Sequence, residues 1–240
     1  MNRWLPAPHA MPRLGVAAHV WAVNLDDASF NGALWRGRLS PEEQGRADRF
    51  KFARDQRRYI IAHAALRDIL AGYANAGPAA LQFNEGPNGK PKLLQPFDAK
   101  RIEFNLSHSH ETALIAVNCG SEVGVDIEFA RADFQFLDVA SHFFTTREVN
   151  ALQALPAALQ RQAFYKCWTS KEAFLKAKGT GLSGALDEVE ILLVGDGIQI
   201  QASVAGWSLL ELAPGAGYEA ALVTGSKPRE VRCYRWQAPW

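Results

Sequence analysis

The chain has 240 residues, 48% hydrophobic and 21% charged, with 26 basic against 25 acidic side chains and a net charge of +1. That length carries one large domain or two small ones with a real core. The composition excludes a disordered chain, a collagen-like repeat and a disulfide-stapled miniprotein, and the near-neutral balance excludes a polybasic nucleic-acid glue. Cys119, Cys167 and Cys233 are odd in number and widely spaced, with no CxxC pair, which predicts a reducing compartment and no structural zinc. No apolar stretch approaches a membrane span, and residues 1–12 read as a loose lead-in without a signal-peptide core. A soluble, cytoplasmic protein is expected.

Residues 14–26 are apolar and rich in Val and Ala, and predict a first strand. Ser40-Pro41-Glu42-Glu43 is a helix start: an N-cap serine, proline at the first helical position, acids in the first turn. Helix is predicted to about Tyr73, with a break near Phe52, and ends before Gly77-Pro78. The cluster from Gly86 to Pro91 predicts a turn between two short extended pieces. Strands follow over 111–118 and 123–129, then two helical pieces between Leu137 and Leu155 broken near Thr145. Residues 159–178 are the clearest helix, stopped by Gly179. Residues 189–194 and 198–204 flank Gly195-Asp196-Gly197 as a hairpin, and 207–213, 218–224 and 230–236 predict three more strands. This order is two α+β halves meeting near 119–123, with no long linker between them.

Four groups of residues are candidates for chemistry. In Gly124-Val125-Asp126-Ile127-Glu128 the period of two puts Asp126 and Glu128 on one face and Val125 and Ile127 in the core. Two carboxylates this close need a cation, a proton or solvent, and hard oxygens on a rigid strand suit Mg²⁺; a solvated edge strand shows the same alternation. On the helix over 159–178, Trp168, Glu172 and Lys176 share a face at i, i+4 and i+8. A surface ion pair fits Glu172 and Lys176, and so does a half-buried metal ligand or general base; Trp168 favours the half-buried reading. Between 46 and 67 stand Arg46, Arg49, Lys51, Arg54, Arg57, Arg58 and Arg67 against only Asp48 and Asp55. That patch attracts phosphates or is a solvated helix face, and no nucleic-acid motif accompanies it. The fourth group is Asn105-Leu106-Ser107-His108-Ser109-His110, which lacks a nucleophile elbow and has too few ligands for zinc. Structural histidines remain, or a hydroxyl and an imidazole lining a phosphate site.

Taken in order, these segments resemble the phosphopantetheinyl transferase superfamily, and within it the larger, single-chain, surfactin-type members. The resemblance runs from about 40 to 185: SPEEQGRADRF, NGKPKL at 88–93, FNLSHS at 104–109, GVDIE at 124–128 and WTSKEAFLKAKGTGL at 168–182. It implies an enzyme that moves the 4′-phosphopantetheine arm of coenzyme A to a serine of an apo acyl, peptidyl or aryl carrier protein. Adenosine 3′,5′-bisphosphate is the other product. It implies Mg²⁺, or Mn²⁺, on Asp126, Glu128 and Glu172, with Glu172 a candidate base and Lys176 a catalytic cation. Lys171 and Lys176 would meet phosphates, Arg58 the 3′-phosphate with Arg46 nearby, and Ser107 and His108 the nucleotide. Lys90 and Pro91 would line the adenine pocket, and Glu148 would stand near the metal. Glu43 falls where the family pattern places a second phosphate-binding lysine. The implied fold is α+β in two similar halves, pseudo-twofold related, each a helix on a small antiparallel sheet. Residues 1–121 would bind the nucleotide, and 122–240 would carry the metal site and catalytic helix. A monomer is implied, with no nucleic-acid or membrane partner.

Overall fold

Each half of the chain is organised round one 22-residue helix. The computed structural model describes residues 2–86, 89–97, 101–181, 186, 189–194, 199–202, 204–228 and 230–238. The Gly195-Asp196-Gly197 turn, Pro87, Asn88 and Leu182 lie outside these residues. The first half runs β1 (Trp4–Pro6), β2 (Ala17–Asn24), α1 (Gly32–Arg36), α2 (Pro41–Ala47), α3 (Ala53–Ala74), β3 (Phe83–Glu85), β4 (Pro91–Leu93), β5 (Ile102–Ser109) and β6 (Thr112–Cys119). The second runs β7 (Val123–Phe129), α4 (Phe136–Phe143), α5 (Thr146–Ala154), α6 (Ala157–Lys178), β8 (Ile191–Val194), β9 (Gln199–Ala202), β10 (Ser208–Leu212), β11 (Tyr218–Thr224) and β12 (Glu230–Arg235).

Local chemistry explains the helix boundaries. Ser40 and Glu43 form a reciprocal capping box at the start of α2, with Pro41 in its first turn. The predicted break near Phe52 falls between α2 and α3, where Phe52 is extended at φ −108°. The two long helices end alike, each on a left-handed residue: Asn75 after α3 (φ 57°) and Gly179 after α6 (φ 72°).

Two sheets carry the halves. The first has the order β1-β12-β2-β6-β5 and the second β10-β11-β7. α3 covers the first through a core that includes Trp21, Ile61, Leu66, Phe104 and Ile115. α6 covers the second through Phe164, Ala173, Phe174, Ala221 and Val223. A third cluster, with Val20, Leu114, Ala116, Val125, Ile127 and Leu222, joins the sheets. The two-half α+β fold expected from the sequence is the observed one.

Three features correct the expectations in detail. The lead-in holds a strand, β1, and α1 was not predicted. β12 lies between β1 and β2, parallel to both, so the end of the chain completes the first sheet and crosses the division expected at 121/122. Half of that sheet is therefore parallel. A three-residue strand has no readable period, and its partner Cys233 lies far along the chain from Trp4. No helix among the described residues is long and apolar enough to cross a membrane.

α6 lies close on β7 at Gly124. A Cβ on Gly124 would stand 2.0 Å from the Ala173 carbonyl oxygen and 2.3 Å from the Ala177 amide nitrogen. Both are backbone atoms and have nowhere to move. Gly124 thus sets how near α6 lies to the strand bearing Asp126 and Glu128. Gly124→Ala should destabilise the protein by about 3 kcal/mol or more, as backbone overpacking does. Urea unfolding of the variant against wild type measures it, and a loss under 1 kcal/mol would show that the contact yields (about the lower limit for overpacking).

Candidate active site

β7 pairs with β11 along one edge; its other edge faces β5. No backbone ladder crosses this seam, and side chains take its place. Asn105 Oδ1 accepts the Val125 amide at 2.9 Å, and Ser109 Oγ accepts the Phe129 amide at 3.1 Å. Ser107 Oγ donates to Asp126 Oδ1 at 2.7 Å, and Ser109 Oγ to Glu128 Oε2 at 2.8 Å. Alternate residues of FNLSHS therefore clasp alternate residues of GVDIE, as the two-residue period of both strands allows.

Across this seam stands α6. Lys176 Nζ donates to Asp126 Oδ1 at 2.5 Å and to Ser107 Oγ at 2.9 Å. Glu172, one turn earlier, is buried at 8% exposure, and Asp126 at 3%. One oxygen of each, Asp126 Oδ2 and Glu172 Oε1, is buried without a hydrogen-bond partner. Burial raises the pKa of Asp126 against the pull of Lys176. Burial also raises Glu128 and Glu172, and the charge of Asp126 raises both further. The three acids thus share one electrostatic site. Lys176 supplies one positive charge against them. Two orphaned carboxylate oxygens and hard donors fit a divalent cation. As they stand, no three His, Cys, Asp or Glu side chains among the described residues are gathered into a metal-holding group.

Three cavities adjoin along the seam. The largest, about 780 Å³, is lined by Arg46, Arg49, Tyr59, His63, Pro91 and Asn105 among others. A second, about 300 Å³, shares Tyr59 and His63 with it and adds Arg58, His108 and His110. A third, about 420 Å³, shares His110 with the second and is lined by Glu128, Phe129, Phe134, Phe164, Tyr165 and Trp168. The run is basic and polar at one end, aromatic at the other, and touches the acidic site through Glu128.

The structure brings most of the expected residues together. Asp126, Glu128, Glu172, Lys176 and Ser107 meet in one place, and Trp168 borders the aromatic cavity beside them. Arg46, Arg58, Pro91 and His108 line the adjoining cavities. His108 stands at a cleft mouth with protein around it; that desolvation, then Lys176, His63 and Arg58, lower its pKa. Arg58 now holds Asp26 through two bonds, at 2.9 and 2.6 Å.

Three expectations are corrected. Lys171 is turned off the face that carries Glu172: one residue before it, Lys171 lies about 100° round the helix. Its ammonium, 1% exposed, donates to the Leu186 and Val189 carbonyls at 2.7 Å each and pairs with Glu148 at 2.8 Å. Glu148 is accordingly away from the acidic cluster. It caps α5 and accepts the Ile191 amide at 2.7 Å. Lys90 turns its side chain out of the large cavity, leaving Pro91 on the wall.

Glu43 also has a definite role. It accepts Arg67 Nε at 2.6 Å, while Arg67 donates to the Pro78 and Leu81 carbonyls. This braces α2 on α3. Burial alone would raise the Glu43 pKa, but nearby His63, Arg67 and the Ser40 amide outweigh it and hold it at about 2. Sequence reasoning gave Asn105 and Ser109 no role of their own and passed over Tyr59 and His63. The alternation that selects Ser107 also selects Asn105 and Ser109; Tyr59 and His63 follow Arg58 by one and five positions on α3, but nothing in their types marks a ligand.

The comparisons agree with this geometry. Residues 28–120 match the family of the 4′-phosphopantetheinyl transferase N-terminal region, and residues 122–222 match the 4′-phosphopantetheinyl transferase superfamily. The chain is 36% identical over 221 residues to the 4′-phosphopantetheinyl transferase HetI of Nostoc sp., covering 92% of this chain and 93% of that one. The chain belongs to the 4′-phosphopantetheinyl transferase superfamily. A Bacillus subtilis 4′-phosphopantetheinyl transferase is 33% identical over 159 residues, covering 66% of this chain and 68% of that one. The human L-aminoadipate-semialdehyde dehydrogenase-phosphopantetheinyl transferase is 28% identical over 164 residues, covering 63% and 52%. The chain is an enzyme of this class.

Two predictions follow from the braces. Lys171→Met or Glu148→Gln alone should cost about 3–5 kcal/mol, since each strands a buried charge or acceptor. The double variant should cost less than the sum of the singles, and urea unfolding of all four proteins reads the coupling; strict additivity would contradict the pair. For Glu43, a folded pKa of about 2 against an ordinary 4.5 means its stabilisation is full above pH 4.5 and fades as pH falls toward 2. Glu43→Gln should flatten the acid side of the stability profile between those values; an unchanged slope would remove the brace.

Proposed function

We propose that the enzyme transfers the 4′-phosphopantetheine arm of coenzyme A to a serine hydroxyl of an apo carrier protein, releasing adenosine 3′,5′-bisphosphate. The observation that carries this reading is the graded run of cavities, basic at one end and aromatic at the other, that touches the acidic site through Glu128. Coenzyme A has a phosphorylated nucleotide at one end, a pyrophosphate in the middle and a long, weakly polar arm at the other. Arg46, Arg49 and Pro91 suit the nucleotide, and Arg58 with His108 suits the 3′-phosphate. The aromatic cavity beside Trp168 and Phe164 suits the arm.

Asp126, Glu128 and Glu172 are the residues to hold Mg²⁺ or Mn²⁺. A divalent cation there neutralises charge on the pyrophosphate during transfer. Lys176 sits within reach of both Asp126 and Ser107, so its ammonium can leave one carboxylate for a phosphate oxygen at little cost in distance. Glu172 carries a raised pKa and an unused oxygen, which suits a base that accepts the serine proton, directly or through water. One chain supplies every residue of the proposed site, which fits a monomer.

Asp126→Ala and Glu172→Ala should each cut turnover by orders of magnitude and weaken Mn²⁺ binding, with the fold intact. Intact-protein mass spectrometry of apo carrier proteins, incubated with coenzyme A and Mg²⁺ with and without a chelator, reads the first effect. Paramagnetic titration with Mn²⁺ reads the second. Near-normal turnover in both variants would sink the metal assignment. Coenzyme A binding without modification of any carrier would favour a non-catalytic binding module instead.

A further inference from the structure

Lys90 closes the turn between β3 and β4, yet its side chain reaches the other half of the molecule. Nζ donates to the Val123 carbonyl at 3.0 Å and to the Ala177 carbonyl at 2.8 Å. Its stem lies on Gly179, where a Cβ would meet Lys90 Cδ at 3.3 Å. Both acceptors are backbone groups that regular structure leaves open. Ala177 is in the last turn of α6, whose final carbonyls have no partner further along the helix and form the negative end of its dipole. Val123 opens β7. It shares an edge with Val125 and Phe129, because backbone groups two apart on a strand point the same way. That edge is the one whose amides Asn105 and Ser109 satisfy. Lys90 is thus a further rung of the same seam.

The positions of the two carbonyls matter. Val123 stands three residues before Asp126, and Ala177 follows Lys176 directly and Glu172 by five. On the hairpin, Gly89 and Pro91 flank Lys90 and line the largest cavity. We infer that Lys90 is a positioning residue, a latch that fixes the wall of the nucleotide cavity to the two elements bearing the acidic cluster. A nucleotide seated against Gly89 and Pro91 then steadies the end of α6, and loosening the latch weakens nucleotide binding without touching the ligand. Both bonds draw the Lys90 ammonium to backbone carbonyls of the other half and away from the cavity that Gly89 and Pro91 line, which distinguishes it from a lysine aimed at a phosphate there. Burial lowers its pKa.

The ligand part of this inference rests on the transferase reading; the latch itself does not. The test uses the full chain with adenosine 3′,5′-bisphosphate as probe, in wild type, Lys90→Met, Lys90→Arg and, as a charge control, Lys92→Met on the exposed side of the same hairpin. Calorimetry should show about tenfold weaker binding to Lys90→Met, the equivalent of one charge-assisted hydrogen bond lost. Lys90→Arg should restore most of it, and Lys92→Met should stay within about twofold, as an exposed charge away from the cavity would. Hydrogen exchange of the unliganded proteins should quicken at 91–93 and 177–179 in Lys90→Met alone. In wild type, the probe should slow exchange at 177–179, a readout that needs no variant. Unchanged exchange at both segments in Lys90→Met, or no probe-dependent protection at 177–179 in a wild type that binds the probe, would overturn the latch. A wild type that fails to bind the probe would instead count against the nucleotide site, and the unliganded exchange would still decide the latch.

Discussion

The rest of the structure depends on one strand edge that has no hydrogen-bonded strand beside it. β7 is paired on one side only, and an unpaired edge this well buried would leave amides and carbonyls without partners at a cost of about 1–3 kcal/mol each. The protein meets that demand with side chains from the first half: Lys90 on the Val123 carbonyl, Asn105 on the Val125 amide, Ser109 on the Phe129 amide. A backbone ladder would have sealed the two sheets into one. Side-chain rungs join them and leave room between strands. Asp126 and Glu128 open into that room, and the three cavities run along it.

The same arrangement makes the acidic site costly, and the cost is visible. Three carboxylates with raised pKa values share one lysine, and two of their oxygens have no hydrogen-bond partner. Nothing in the packing requires acids there. Apolar side chains of similar volume would serve stability better at positions this buried. Charges held against both desolvation and mutual repulsion are the mark of a functional site and not of a structural one. Ser107 links the two sides of that balance, donating to Asp126 and accepting from Lys176.

Much of this was legible in the residues because it obeys short periods. The two-residue alternation of GVDIE sets Asp126 and Glu128 on one face, and the four-residue stripe of Trp168, Glu172 and Lys176 sets Glu172 and Lys176 on the helix face turned toward them. The same helical arithmetic turns Lys171 about 100° off that stripe; family resemblance pulled it toward the phosphates, and its bonds to Leu186, Val189 and Glu148 decide against that. Gly124 was legible only as part of a motif, because its reason is a backbone 2.0 Å from where a Cβ would stand. Long-range pairings were not legible. Lys90 bonds residues 33 and 87 positions away, and no local pattern marks a turn lysine as the latch of a distant helix. β12 escaped for a related reason: its strand character was plain, but its parallel seat between β1 and β2 depends on where the whole second half lands.

Magnitudes also separate the basic residues of the first half into those that can meet a ligand and those that cannot. Arg67 is 2% exposed and holds Glu43 and two carbonyls at once, so withdrawing it would strand a buried acid and unmake the brace between α2 and α3. Arg58 also makes a bidentate pair, with Asp26, but both partners reach solvent, at 17% and 45% exposure. An exposed pair of that kind is worth about 0–1 kcal/mol. Exchanging Asp26 for a phosphate keeps the same fork-like bonding and adds a second negative charge, so the exchange is favourable from the side of Arg58. Counting basic residues along α3 treats the two arginines as equals. Burial makes one a strut and leaves the other available to a phosphate, and the position of Glu43 beside Arg67 shows why an acid is tolerated at the mouth of a cavity that otherwise favours anions.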